Sequence, residues 1–295
     1  MNLAAKHGSL DGVLFARNMG ARDFSGMIQC AAYRGHRAIC ELACKWEPRI
    51  QNYEYMLSIA AQNGQREICE FARECGARNF DEMIIFAAHD GSRELCELAR
   101  DWGARDFNLM LANAAQGGHR EICELARDWG ARDFGDMLSA AVQNGHRELC
   151  ELARDWGARD FNLMLCMAAK EGYRELCELA REWGARNFGE MLVFAAQEGN
   201  RELCELAREW GARNFGEMLQ SATESGHREL CELAREWGAS HRDFEDMLRI
   251  ASVEGNRELC ELAREWGARN FDEMLQNAIV YKYGELRALA YRWGA

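Results

Sequence analysis

At 295 residues, with 48% hydrophobic and 28% charged positions, the chain is composed like a folded domain or an elongated array, which excludes a disordered or membrane-embedded class. Its longest apolar stretches, such as MIIFAA at residues 83–88, are far too short to span a bilayer. The net charge of −12 is interleaved at about −1 per repeated segment, poor material for gripping a phosphate backbone, so nucleic acid is not an expected partner.

The opening MNLAAKHGSL lacks the apolar core of a secretory signal. An intracellular, cytoplasmic setting is therefore expected, and the 13 cysteines read as free thiols and not as a disulfide framework. One proline and no low-complexity linker leave no domain boundary, so residues 1–295 read as a single array.

The array is periodic. All nine tryptophans (Trp46, Trp102, Trp129, Trp156, Trp183, Trp210, Trp237, Trp266 and Trp293) share one register, 27 residues between neighbours except for 29 between Trp237 and Trp266 and 56, which is 29 plus 27, between Trp46 and Trp102. Met19 and Cys75 fill the two missing places. Nine cysteines, from Cys40 to Cys260, lie six residues before that position. A strict period means stacked copies of one supersecondary unit. A partial unit at 1–21 is followed by ten full ones, beginning near Asp23, Asn52, Asn79, Asp106, Asp133, Asp160, Asn187, Asn214, Asp243 and Asn270.

The unit at 106–131, DFNLMLANAAQGGHREICELARDWGA, shows the local logic. Asp106 is an expected helix N-cap, and its counterparts are all Asp or Asn. Asn79/Glu82, Asn187/Glu190 and Asn270/Glu273 have the spacing of capping boxes. Phe107, Met110, Leu111, Ala114 and Ala115 form an apolar stripe at helical spacing, which we call helix A. Gly118 ends it, and His119 (elsewhere Ser92, Asn200 or Asn256) is the expected cap of helix B. Ile122, Cys123, Leu125, Ala126 and Trp129 are its buried side, and Gly130 suits a left-handed C-terminal cap. No strand pattern occurs. The predicted class is all-α, an α-solenoid of helix–turn–helix repeats.

AAQGGHREICELARDWGA resembles the helix-pair core of an ankyrin repeat, AAxxGHxEIVxLLLxxGA, over nearly the whole chain. The unit is six residues shorter than the usual 33, and DFNLML stands in place of the threonine–proline–leucine–histidine motif. The shortfall lies where the ankyrin hairpin finger would be, and the two longer units insert their extra residues there, around 47–51 and 240–241. Such finger-less arrays also resemble ankyrin-like repeat proteins of giant viruses of amoebae, which implies a host protein among the partners.

Several recurring residues could be chemistry or scaffold. Stacked helices lie about 8–10 Å apart, too far for equivalent cysteines to bridge, so the cysteine ladder reads as core. Cys30, His36, Cys40 and Cys44 could offer soft ligands to zinc. His36 and Cys40 are routine repeat residues, however, so no metal or other cofactor is expected. The tryptophans could form a stacking ladder or seal adjacent units. Glu124 and Arg127 read as i,i+3 partners on a solvated face. A catalytic centre needs singular residues converging at one point, and this chain offers copies, so no enzyme is expected.

Helix B is almost constant, so information can sit only where helix A varies. The candidate partner-binding positions are Ile85, Phe86, Asn113, Met167, Val193, Phe194, Ser221, Arg249 and Ile250, with Phe86, Met167, Phe194 and Ile250 as anchors. The ankyrin resemblance places helix A on a concave side. The expected function is protein recognition along that side. Self-assembly through apolar ends, where Ile279, Val280, Tyr281 and Tyr283 lie, is the second reading, and modular nucleic-acid binding the third.

Overall fold

The computed structural model describes residues 1–47 and 53–295, and its described residues contain helices and no strand. The expected unit start at Asn52, with most of the extra turn before it, lies outside them. Two compact units are present, Met1–Arg159 and Asp160–Ala295.

The first unit begins with a short pair, Asn2–Lys6 and Leu10–Asn18. Five A/B pairs follow: Phe24–Arg34 with Arg37–Trp46, Tyr53–Gln62 with Arg66–Cys75, Phe80–His89 with Arg93–Trp102, Phe107–Gly117 with Arg120–Asp128, and Phe134–Gln143 with Arg147–Trp156. The second unit holds five more: Phe161–Lys170 with Arg174–Glu182, Phe188–Gln197 with Arg201–Trp210, Phe215–Glu224 with Arg228–Trp237, His241–Glu254 with Arg257–Glu265, and Phe271–Val280 with Gly284–Trp293. Within each unit consecutive pairs stack side by side, the arrangement of an α-solenoid.

Side-chain size explains the packing. Six of the ten full A helices carry an Ala-Ala pair such as Ala114 and Ala115, fully buried, and the other four keep the first of these alanines (Ala141, Ala222, Ala251, Ala278), which lets neighbouring A helices approach closely. Met110 and Leu111 fill the space around them, each burial worth about 1.5–3 kcal/mol. B helices are thicker. Ile122, Cys123 and Ala126 face the core, while neighbouring B helices stay farther apart and are bridged by long side chains.

The caps differ from the sequence expectation in an instructive way. Asp106, Asp133 and Asp160 accept from the backbone N–H three residues on, as expected. The capping boxes at Asn79, Asn187 and Asn270 do not form, because the N-cap backbone N–H is already taken by the preceding pair. Glu54 accepts from Arg78 N and Asn79 N (2.8 and 2.9 Å), and Asn162 does the same for Arg186 N and Asn187 N (2.8 and 3.1 Å). Glu245 serves Arg269 and Asn270, Asp81 serves Arg105 and Asp106, and Asn108 serves Arg132 and Asp133. The true capping box is Ser240 with Asp243. Residues 241–242 of that longer unit join the helix, so Asp243 becomes its third residue and not its cap.

Histidine also has a different job. His119 makes no side-chain cap on its own helix. Its Nε2 lies 2.9 Å from His89 O, at the end of the preceding A helix, where the last carbonyls lack helical partners. A carbonyl only accepts, so Nε2 donates. His146 reaches Gln116 O and His227 reaches Gln197 O in the same way. Asn200 and Asn256 do cap their own helices, whereas Ser92 does not.

The linking histidine lies over the glycine that closes the preceding A helix. Gly118 has φ +81°, and a Cβ there would meet the His146 ring at 2.8 Å. Gly130, with φ +116°, has open space around it. Gly130→Ala should therefore cost about 1–2 kcal/mol in urea unfolding, from backbone strain alone. Gly118→Ala should cost roughly 1–3 kcal/mol more, because the ring must also give way. Equal costs would contradict the histidine link.

Candidate functional site

The B-helix side is occupied by contacts that repeat with the period. Arg120 pairs with Glu124 at 2.9 Å, four residues on, and the same pair recurs from Arg37–Glu41 to Arg257–Glu261. This corrects the Glu124–Arg127 pairing expected above. Arg127 instead places its guanidinium 4.7 Å from the centre of the Trp156 ring in the following pair. Trp156 meets Phe134 of its own pair edge-on, with centroids 5.6 Å apart. Such a Phe–Trp–Arg cage recurs, for instance, at Phe80, Trp102 and Arg73, and at Phe215, Trp237 and Arg208. The indoles are half-buried and engaged on both sides, which is the sealing role and not a free stacking platform.

At one junction the cage is missing. Cys44 stands at the arginine position, Cys75 at the tryptophan position and Tyr53 at the phenylalanine position. Cys30, His36, Cys40 and Cys44 do not converge, and no group of three metal-ligating side chains is found among the described residues. His36 Nε2 lies 3.3 Å from Lys6 O, in the same inter-pair link as the other histidines.

Open pockets also lie on the B side, one of about 840 Å³ lined by Glu178, Arg181, Arg186 and Trp210 among others, whereas the A-helix side offers a more apolar one. Between Phe161–Lys170 and Phe188–Gln197 lies a groove of about 460 Å³. Leu163, Cys166, Met167 and Phe194 supply its apolar lining, while Asp160, Asn162, Lys170 and Glu190 supply polar groups. Leu163 is 46% exposed. Cys166 is buried, its Sγ donating to Glu190 Oε2 at 3.3 Å, and burial followed by that carboxylate pushes its thiol up to about 12.

The groove thus brings together two expected anchors, Met167 and Phe194. Val193 lies beside Phe194 and is half-buried, as are Ile85 and Phe86 in the first unit. Asn113 and Ser221 are half-buried, and Asn113 donates to Leu109 O within its own helix. Arg249 is held by Asp246 at 3.2 Å. Ile250 is buried at 7% exposure and belongs to the core of its pair. Sequence reasoning missed Leu163, Lys170 and Glu190 as parts of this groove. Leu163 was visible, because most full units carry Glu or Asp at its position.

No protein-family model matches this chain, and no curated protein matches it at a significant level.

The cysteine ladder is core. Burial pushes the thiols of Cys69, Cys123 and Cys204 from near 9 up to about 12. A raised folded pKa means the native state holds its proton after the unfolded chain has released it. The contribution of each such thiol is therefore complete below pH 9 and is lost as pH rises towards 12, by on the order of 1 kcal/mol per pH unit. Urea melts from pH 8 to 11 should show this slope, shallower in a variant with several ladder cysteines changed to Ala. An unchanged slope would contradict the shared burial.

Proposed function

We propose that this chain is a non-enzymatic scaffold that recognises a protein partner along its A helices. The groove between Met167 and Phe194 carries the reading: it is apolar, open, and lined by residues that vary from copy to copy. Its volume lies in the range of about 300–1,000 Å³ common for ligand sites. The B side offers no comparable variation, since its arginines, glutamates and tryptophans repeat and are engaged with one another. Raised thiols are weak nucleophiles near neutral pH, which fits the non-enzymatic reading.

The ankyrin-like reading and the giant-virus likeness rest on the AAQGGHREICELARDWGA core, and they gain support from A helices that pack closer together than B helices. No helix among the described residues is long and apolar enough to cross a membrane. An intracellular setting and a host-protein partner are part of the same proposal. Exposed Ile279, Val280 and Tyr281, and exposed Leu3, Phe15 and Met19 near the other terminus, favour self-association as the second reading.

Affinity capture from nuclease-treated eukaryotic lysate, comparing the wild type with Phe86→Glu/Phe194→Glu, tests the proposal. A protein retained by the wild type and lost by a variant that still melts cooperatively is the expected result. Equal retention by both would overturn recognition on helix A, and capture of this chain alone would favour the second reading.

A further inference from the structure

The geometry points to a basic peptide segment with one large apolar side chain as the occupant of the groove between Phe161–Lys170 and Phe188–Gln197. This rests on the recognition reading above and adds the chemistry of the partner.

The first observation is an apolar surface that folding does not require. Leu163 is 46% exposed at a position where most full units place a carboxylate, and Met167 and Phe194 stand half-buried beside it. One aromatic or branched side chain laid into the groove would cover all three.

The second is charge left over on this side. The A helices of the second unit carry nine carboxylates against three cations, Lys170, Arg242 and Arg249. Arg249 is already held by Asp246. Glu190, on the wall of the groove, and Glu217, Glu224 and Glu254 on the A helices that follow have no ion-pair partner among the described residues. The B helices of this unit are closer to balance, with 13 carboxylates against ten arginines, although several of their glutamates, Glu209 and Glu236 among them, also have no ion-pair partner among the described residues. An apolar pocket walled by Glu190, on helices whose carboxylates outnumber their cations, complements a Lys/Arg-rich segment with an apolar anchor. The same charge disfavours a second copy of this chain, which is itself acidic, and disfavours nucleic acid.

Fluorescence anisotropy with the full chain and a labelled short peptide of Lys and Arg around one central Phe tests the proposal. Affinity should fall about tenfold when that Phe becomes Ser and about tenfold in Met167→Ser/Phe194→Ser, and it should weaken with added salt. Glu190→Gln/Glu217→Gln should weaken binding, Lys170→Gln should tighten it, and Glu209→Gln/Glu236→Gln, which removes equal charge from B helices, should leave it unchanged. Leu163→Ser serves in place of the double variant should that chain fail to fold. If a peptide with Glu for every Lys and Arg binds equally and is lost in the groove variant, the basic partner is wrong while recognition on helix A stands. If the groove variants lose affinity for neither peptide, the proposal falls and the recognition reading loses its groove.

Discussion

A backbone N–H at the start of each A helix has to find an acceptor, and in this chain the acceptor often comes from the pair before it. Glu54, Asp81, Asn108, Asn162 and Glu245 each take two such N–H groups from their neighbour. At the other end of the A helix, the next pair's histidine donates to a carbonyl that the helix leaves unpaired. The Phe–Trp–Arg cage closes the wider space between B helices, its aromatic pair contributing about 0.5–1.5 kcal/mol and its cation about 0.5–1 kcal/mol. Apart from the Phe–Trp contact, which lies within a pair and sets the indole for the arginine of the pair before, each of these contacts joins a pair to its immediate neighbour. Stability of each compact unit is then a sum over pairs and junctions, as expected for a quasi-one-dimensional stack.

That division of labour decides where function can sit. B-helix residues hold junctions, so changing them costs folding. A-helix residues beyond the buried Met, Leu and Ala positions, the caged phenylalanine and the acceptors that reach the next pair are free to differ, and they do: Phe86, Asn113, Met167, Phe194 and Ser221 occupy one equivalent place. The surface that can vary without unfolding the chain is the surface able to carry recognition.

Register, helix pairing, the buried stripe and the core cysteines were legible in the sequence because each is a property of one unit repeated. The sequence was less legible wherever a residue chooses between a partner in its own unit and an equivalent partner next door. Glu124 has Arg120 and Arg127 within reach along its own helix, and only the stacked neighbour shows that Arg127 is drawn away to Trp156. The expected capping boxes failed for the same reason, since Asn162 and Glu245 reach across and claim the N–H first. Leu163 could have been found by looking for a departure from the repeated carboxylate, whereas the burial of Ile250 needed coordinates.

The junction with Cys44, Cys75 and Tyr53 offers the most direct test that neighbour contacts of this kind hold the stack together. Hydrogen exchange resolved by helix should compare the wild type with Cys44→Arg/Cys75→Trp. The account predicts faster exchange in Phe24–Arg34 and Arg37–Trp46 than in Phe107–Gly117 and Arg120–Asp128 of the wild type, with protection rising in the double variant. Equal protection at both places, unmoved by rebuilding the cage, would contradict it.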